Sequence, residues 1–193
     1  MATLIMSFSG ALAEDRRAVA AGLRRRDPEL LDLLIEQYQY RLFRYVLYLT
    51  GSREAAEDIF QETWIRVLDR GAQYDGKAKF ETWLFAIARH LVIDLQRRKK
   101  PQALDSLSGP EMTAAGPSAL DQFSVREREA QLHESLERLP AAYREVLLLR
   151  FQEDLTLEEI AGVLDAPLST VKSRLYRGLE ALRRELGETG HVA

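Results

Sequence analysis

The fold of this chain is indicated most clearly by one segment, Leu155-Thr-Leu-Glu-Glu-Ile-Ala-Gly-Val-Leu-Asp-Ala-Pro-Leu-Ser-Thr-Val-Lys-Ser-Arg-Leu-Tyr-Arg177. Apolar residues in its first part recur with the i, i+3, i+4, i+7 spacing of one helical face, at Leu157, Ile160, Ala161 and Leu164. Thr156 is a suitable N-cap for this helix, and Pro167 prevents the helix from continuing. The pattern therefore predicts a short helix that ends at a turn over Asp165-Ala166-Pro167.

A second amphipathic helix is predicted directly after this turn. Its apolar face is formed by Val171, Leu175, Leu179, Leu182 and Leu186, and the opposite face carries Ser173, Tyr176, Arg177 and Arg184. Between residues 172 and 184 the helix carries the basic residues Lys172, Arg174, Arg177, Arg183 and Arg184 against the single acid Glu180. Two short helices with a tight turn, the second one basic, are typical of a helix-turn-helix that places its second helix in the major groove of DNA. Ordinary packing within a helical bundle is the alternative explanation.

The composition is that of a folded protein, with 46% hydrophobic and 30% charged residues. The chain has no cysteine, which excludes disulfides and cysteine-bound zinc. No apolar run of about 18 residues is present, so we expect no membrane insertion. The formal net charge of −3 argues against a protein that coats nucleic acid non-specifically, but it leaves room for local basic surfaces.

Helical periodicity dominates the first hundred residues, and no strand pattern is found. Asp27-Pro28 is typical of a helix start, Gly51 of a helix end, and Ser52 of the next N-cap. Helices are predicted from residue 28 to about residue 50, over about residues 53–69 and over about residues 81–99, with a glycine-containing loop at residues 71–79.

The composition changes between Pro101 and Ser124, where proline, glycine, serine and alanine interrupt any helix. A connection of about 24 residues is too long for a loop inside one compact domain. We therefore predict an all-α chain of two small helical domains joined by a flexible linker, the second being a helix-turn-helix domain. Residues 1–24 are expected to form an N-terminal extension, in which Met6 is an alternative start to Met1.

Charge is segregated between two of the predicted helices. Residues 52–69 have a net charge of −3, and their outward positions are Asp58, Gln61, Glu62, Ile65 and Asp69. An exposed isoleucine among carboxylates favours a docking surface for a basic partner, and a solvated acidic stripe is the alternative.

Residues 80–100 have a net charge of +3, and the predicted helix ends in Arg97-Arg98-Lys99-Lys100. Cations at a helix C-terminus also stabilise the helix dipole, which alone accounts for part of this cluster. However, the preceding residues are rich in aromatic side chains, including Phe80 and Trp83. Cations beside aromatic rings suit single-stranded nucleic acid, although both rings could instead be buried in the core.

Catalysis has little support in the sequence. The histidines, His90, His133 and His191, are too scattered for a metal site or a catalytic triad, and no glycine-rich phosphate loop is present. We therefore expect no metal, no cofactor, no small-molecule substrate and no enzymatic activity of the chain by itself.

Five segments, taken in order, resemble the extracytoplasmic-function sigma factors of the sigma-70 family, which direct bacterial transcription initiation. They are Asp58-Ile-Phe-Gln-Glu-Thr-Trp64, Phe80-Glu-Thr-Trp-Leu-Phe-Ala-Ile-Ala-Arg-His-Leu-Val-Ile-Asp-Leu-Gln-Arg-Arg98, Leu139-Pro-Ala-Ala-Tyr-Arg-Glu-Val146, Glu158-Glu-Ile-Ala161 and Thr170-Val-Lys-Ser-Arg-Leu175. Each motif alone is modestly specific, but their order and spacing together are highly specific. The resemblance covers about residues 25–187.

The resemblance implies a different function for each part of the chain. Residues 25–100 would be sigma region 2, which binds the polymerase clamp and opens the minus-ten element, and residues 125–187 would be sigma region 4, which binds the minus-thirty-five element. Residues 101–124 would be the linker and residues 188–193 a tail. The implied partners are core RNA polymerase, promoter DNA and an anti-sigma factor, in the cytoplasm and in a stress or envelope response.

The resemblance also implies roles for individual residues. Polymerase binding would fall to Asp58, Gln61, Glu62 and Ile65. Minus-ten binding would fall to Lys79, Phe80, Trp83, Arg89, His90, Arg97 and Arg98. Minus-thirty-five binding would fall to Thr170, Lys172, Ser173, Arg174, Tyr176 and Arg177. The family commonly has asparagine where this chain has His90, which leaves the promoter preference near this position open. In the turn the family commonly has glycine where this chain has Asp165, but aspartate tolerates a left-handed backbone better than most residues, so we expect the turn to form. The rival function is a stand-alone helix-turn-helix repressor.

Overall fold

A computed structural model of the chain describes residues 15–99, 132 and 134–189. The chain divides into two compact units, one built from the helices before residue 100 and the other from the helices after residue 133. The described residues form helices, turns and loops and contain no strand, which confirms the all-α prediction. Within the same residues no helix combines the length and apolar character needed to cross a membrane. The predicted linker at residues 101–124 lies outside the described residues.

The first unit consists of four α-helices: α1 (Arg16–Arg25), α2 (Pro28–Thr50), α3 (Arg53–Arg70) and α4 (Phe80–Lys99). A 3-10 turn, Gly71–Gln73, follows α3. The helix starts are set by side-chain caps, since Asp27 accepts hydrogen bonds from the amides of Glu29 and Leu30, and Ser52 accepts one from Ala55. Gly51 ends α2 in the left-handed conformation, with φ of 71°. These boundaries confirm the predicted helices to within about a residue.

The core of the first unit is formed by one apolar stripe from each helix. Its fully buried members include Leu34, Leu42, Ala56, Val67 and Leu84. Aromatic rings complete this core around the start of α4, where Phe80 lies 5.6 Å from Tyr38 and 5.8 Å from Tyr74, measured between ring centroids. Removing this apolar surface from water stabilises the unit and fixes which side of each helix remains outside.

The structure differs from the sequence prediction at the N-terminal side of this unit. Residues 16–24, expected to belong to an extension, lie in helix α1, whose Val19, Ala20 and Leu23 are buried in the core. Asp15 caps the helix by accepting hydrogen bonds from the amides of Arg17 and Ala18. The helix was missed because its apolar stripe is short and is surrounded by arginines, so composition pointed to a solvated segment.

The second unit contains a helical segment at residues 134–138, then α5 (Ala141–Phe151), α6 (Leu157–Leu164) and α7 (Leu168–Thr189). Thr156 and Glu159 form a reciprocal cap at the start of α6, because each side chain accepts a hydrogen bond from the other residue's amide. Helix α6, the turn and α7 reproduce the predicted helix-turn-helix. Helix α7 extends two residues into the expected tail at residues 188–193.

The turn between α6 and α7 depends on Asp165, which adopts a left-handed conformation with φ of 48°. The amide of Ala166 then reaches back to the carbonyl oxygen of Ala161 at 3.1 Å, which satisfies a carbonyl at the end of α6. The carbonyl oxygen of Pro167 accepts hydrogen bonds from the amides of Thr170 and Val171 and so begins α7. Aspartate supports the turn in place of glycine, as the sequence predicted.

Helix α7 packs closely on α5 at one point in its middle. A Cβ atom at Gly178 would lie 3.3 Å from Cβ of Tyr143 and 3.3 Å from Cδ1 of Leu147, so the absence of a side chain allows the close approach. Val171 and Leu175, on the same side of α7, are buried. The opposite side of the helix is consequently the exposed one.

Candidate nucleic-acid interfaces

The exposed face of α7 is the candidate duplex-binding surface. Lys172, Ser173, Tyr176 and Arg177 are all exposed, and Tyr176 as a residue is 71% exposed. Thr170 and Arg174 are half-buried at the edges of this face. The six residues predicted to bind the minus-thirty-five duplex therefore lie on one helix, with their shared side turned away from α5.

The charges on this face are not neutralised within the unit. The side chains of Lys172 and Arg177 form no hydrogen bond or ion pair with any other residue that the structure describes. Cations held together on a rigid helix repel one another, and an approaching phosphate backbone relieves that repulsion. Such a surface suits a polyanion, because the rigid helix fixes the backbone positions from which these cations project.

Helix α3 carries an acidic surface with an apolar centre, which we call the α3 face: Asp58, Gln61, Glu62, Ile65, Leu68 and Asp69. Ile65 is 50% exposed and Leu68 45%, although apolar side chains of this size are usually buried. Glu62 Oε1 accepts a hydrogen bond from Arg66 Nε at 3.0 Å, and this pair remains partly exposed. All four residues predicted for polymerase binding belong to this face. The sequence prediction missed Leu68, whose position three residues after Ile65 was the available signal.

Helix α4 carries the predicted minus-ten residues in two different settings. His90, Arg97 and Arg98 are exposed, and Trp83 and Arg89 are half-buried. Trp83, His90 and Arg97 are spaced seven residues apart, so they fall on one side of the helix over about 21 Å. Lys79, just before α4, lies 3.8 Å from the carboxylate of Glu81, which also binds Arg41 at 3.0 Å. Lys100, the last cation of the predicted cluster, lies outside the described residues.

Phe80 is the clear correction among the predicted minus-ten residues. Its ring is only 2% exposed and is packed against Tyr38, Tyr74 and Trp83, so it belongs to the core and cannot stack on a base in this structure. Trp83 also packs on this cluster, with its ring 5.3 Å from that of Tyr74, but part of its surface remains exposed. Tyr74, Phe80 and Trp83 thus act mainly as a scaffold at the start of α4.

The loop between α3 and α4 is tied together by polar contacts, and we call residues 74–79 the α3–α4 loop. The hydroxyl of Tyr74 donates a hydrogen bond to the carbonyl oxygen of Ala78 at 2.7 Å, and burial raises the pKa of Tyr74 to about 12. Asp75 accepts a hydrogen bond from the amide of Lys77 at 3.0 Å and pairs with its ammonium group at 2.9 Å. These contacts with Lys77 lower the pKa of Asp75.

Comparison with known proteins agrees with this geometry. Residues 34–102 match sigma-70 region 2, and residues 129–182 match sigma-70 region 4. The ECF RNA polymerase sigma factor SigW of Bacillus subtilis (strain 168) is 33% identical over 173 residues, which cover 85% of this chain and 92% of SigW. The chain belongs to the extracytoplasmic-function sigma factors.

A second relative of this sigma factor is the RNA polymerase sigma-H factor of Pseudomonas aeruginosa, which is 30% identical over 185 residues covering 90% of this chain and 94% of the relative. The fold also matches the sigma factor RpoE of Bartonella quintana, solved in complex with the anti-sigma factor NepR. That match has a TM-score of 0.64 and 20% identity, and it covers 81% of this chain and 96% of RpoE. Because both units match, a sigma factor is favoured over a stand-alone repressor.

Proposed function

We propose that this sigma factor binds core RNA polymerase through the α3 face and selects promoters through α4, the α3–α4 loop and α7. The observation that carries the proposal is the separation of charge between α3 and α7. An acidic surface with apolar residues at its centre suits a basic protein partner, and an exposed cationic helix suits DNA. A single chain that carries both surfaces can bring a polymerase to a duplex.

At the minus-thirty-five element, Lys172 would contact phosphates and Ser173, Tyr176 and Arg177 would contact base edges. Phosphate contacts position the protein, and base contacts in the major groove select the sequence. Arg177 is the strongest candidate for a base contact, because its guanidinium group can donate two parallel hydrogen bonds to guanine.

At the minus-ten element, the half-exposed Trp83 would stack on an unpaired base, while Lys79, His90, Arg97 and Arg98 would follow the phosphate backbone. Stacking on a ring and contacts to cations together offset the free energy lost when the duplex is opened. Arg89 would contribute from the edge of this surface. Catalysis of RNA synthesis would remain with the polymerase, so the sigma factor itself is not expected to be an enzyme.

We also propose that an anti-sigma factor restrains this protein and that it acts in the cytoplasm, where polymerase and promoter DNA are found. The complex of RpoE with NepR supports the first part, since a protein of the same fold is held by such a partner. Blocking the α3 face would be sufficient for restraint, because binding of polymerase there would be prevented. Release of the restraint in a stress or envelope response would then switch on transcription.

The test is run-off transcription with purified core polymerase on genomic DNA fragments of the source organism. We expect transcripts with defined starts only when the sigma factor is added, and the aligned start sites would give both promoter elements. A parallel gel-shift experiment separates the rival function. Tight binding of the isolated chain to promoter duplexes, together with no transcription in the run-off assay, would establish a repressor and overturn the proposal.

A further inference from the structure

Helix α1 lies outside the part of the chain that matches sigma-70 region 2, which begins at residue 34. It is nevertheless part of the first unit, because Val19, Ala20 and Leu23 are buried in the common core. A helix needs only its apolar stripe for this packing, so the polar groups of its first turn are available for another role. One of these groups, the guanidinium of Arg16, reaches the α3–α4 loop.

Arg16 connects the first turn of α1 to this loop. Its guanidinium Nη1 donates a hydrogen bond of 2.9 Å to the carbonyl oxygen of Lys77, a residue 61 positions further along the chain. A charged donor to a backbone carbonyl makes a stronger hydrogen bond than a neutral one. The contact fixes the backbone of the loop and leaves the side chain of Lys77 in solvent.

Gly76 brings the same stretch of loop against α1. Its φ of +75° is a conformation that other residues rarely adopt, and a Cβ atom there would lie 3.0 Å from the backbone oxygen of Arg16. Gly71, at the other side of the loop, would place a Cβ atom 3.1 Å from Cβ of Leu23. The connection between α3 and α4 therefore rests on α1 at two points.

The other side of the loop is held by the aromatic cluster. Tyr74 is buried, stacks near Phe80 and Trp83, and donates its hydroxyl hydrogen to Ala78. The loop is thus clamped between α1 and the start of α4, with Asp75, Lys77 and Lys79 turned outward. A loop whose backbone is fixed in advance loses less conformational entropy when it binds a ligand.

We propose that Arg16 is a positioning residue for minus-ten recognition: from α1 it holds the α3–α4 loop in the shape that contacts the unpaired strand. This inference rests on the proposed role of the loop in minus-ten binding. Arg16 acts through the backbone of Lys77 and need not touch DNA itself. Loss of its hydrogen bond would leave the loop free to adopt shapes that fit several bases equally well.

The experiment compares Arg16→Ala, Arg16→Lys and the control Arg17→Ala in holoenzyme reconstituted with core polymerase. Arg17 is exposed on the same helix turn, so its replacement removes the same charge without touching the loop. The probe is a single-stranded oligonucleotide with the non-template minus-ten sequence obtained from the run-off start sites, and each base is substituted in turn.

We expect Arg16→Ala to weaken binding of the preferred oligonucleotide by about three- to tenfold, the effect of one hydrogen bond. It should also reduce discrimination against substituted bases by a similar factor, which loss of stability alone would not do. Arg16→Lys, which keeps one donor, should restore part of the discrimination. Arg17→Ala should leave discrimination unchanged, and all variants should keep the wild-type affinity for core polymerase.

Two results would overturn the inference while leaving the proposed function intact: full discrimination by Arg16→Ala, or an equal loss in Arg17→Ala. A wild-type holoenzyme that shows no preference for any minus-ten base would instead contradict the proposed function. Hydrogen exchange of the amides at residues 74–79 provides a second measurement. It should be faster in Arg16→Ala than in Arg17→Ala below the melting temperature of both, and equal protection would also count against the inference.

Discussion

The α3 face and the exposed face of α7 are built alike but are chemically opposite. Both occupy the outer side of a long helix whose inner side is buried in a core. The α3 face combines carboxylates with half-exposed Ile65 and Leu68, and Glu62 is already paired with Arg66. The α7 face presents Lys172 and Arg177 without partners among the described residues and carries a single exposed ring, Tyr176. Apolar area inside a charged ring indicates a protein partner, whereas unneutralised cations indicate a polyanion.

The largest expected effect is the loss of affinity for core polymerase when charge on the α3 face is reversed. In the double variant Asp58→Lys and Glu62→Lys, binding to core polymerase should weaken by about a hundredfold or more, because like charges would face each other across the interface. The fold should survive, since the Glu62–Arg66 pair is partly exposed and contributes little. Co-purification with polymerase and a thermal melt measure the two effects.

The matched control is Asp32→Lys with Glu36→Lys on α2, which changes the same charge at the same spacing on another exposed stripe. Equal losses in the two double variants would show that polymerase senses only net charge. The prediction that polymerase binds the α3 face rather than other acidic surfaces of the first unit would then be wrong.

On the α7 face, Arg177→Ala should weaken holoenzyme binding to the minus-thirty-five duplex by about 1–3 kcal/mol and relax the preference at one base pair. Arg183→Ala is the control, because Arg183 is exposed on the same helix but lies outside the predicted base-contacting set. Binding measured against a series of single-base-pair substitutions distinguishes a base contact from a phosphate contact. A uniform loss across the series would move Arg177 to the phosphate-binding group.

The apolar centre of the α3 face can be tested separately from its charge. Ile65→Ala should lower the affinity for core polymerase by about 1–2 kcal/mol, the value expected for burial of its exposed half. Tyr40→Ala, at the most exposed large apolar side chain of α2, should have no effect. Titration calorimetry or a competition assay gives both affinities, and a loss with Tyr40→Ala would extend the docking surface onto α2.

The smallest effect is expected at Tyr74, whose buried hydroxyl is hydrogen-bonded within the protein and therefore has a structural role. Tyr74→Phe should lower the free energy of unfolding at pH 7 by about 1 kcal/mol through loss of the hydrogen bond to Ala78. Burial raises the pKa of Tyr74 to about 12, above its ordinary value of 10.0, so the neutral phenol is the form that the folded state favours.

The pH dependence follows from this direction of shift. Below pH 10 the stabilisation of the folded state by the buried neutral phenol of Tyr74 is fully present. Between pH 10 and 12 the unfolded state has released the phenol proton while the folded state still holds it. The folded wild type therefore loses stability as pH rises through this window. Urea unfolding at pH 7 and pH 11 should show the gap between wild type and Tyr74→Phe closing at the higher pH, whereas a constant gap would exclude a buried neutral phenol.

The helices and the α7 face could be predicted from sequence because their signals are local. Asp27, Gly51 and Ser52 mark helix ends within a few residues, and periodicity alone identifies which side of α7 is exposed. The candidate minus-ten surface could be predicted from sequence only in part. An aromatic residue beside cations suits both base stacking and core packing, and only the three-dimensional arrangement shows that Phe80 is buried while Trp83 keeps an exposed edge.

Long-range contacts account for what the sequence could not show. The hydrogen bond from Arg16 to Lys77 joins residues 61 positions apart, and no local pattern marks either of them. Helix α1 had one usable signal, the N-cap Asp15 followed by Val19 and Leu23 at helical spacing, but three buried apolar side chains among arginines were too few to outweigh the charge. The hydrogen bond of Arg16 and the burial of α1 both depend on which elements become neighbours, and local periodicity does not specify these neighbours.

Gly178 gives α7 a fixed point of contact with α5 about which the helix can tilt. The helix is anchored where Tyr143 and Leu147 pack against the backbone of Gly178, and the residues proposed to contact bases lie in its N-terminal half. The separation of Gly178 from Arg177 by one residue and from Thr170 by eight means that a small tilt at this pivot moves the far end most. Substitutions on α5 that move this pivot are therefore expected to shift the proposed promoter contacts while leaving every residue proposed to contact DNA unchanged.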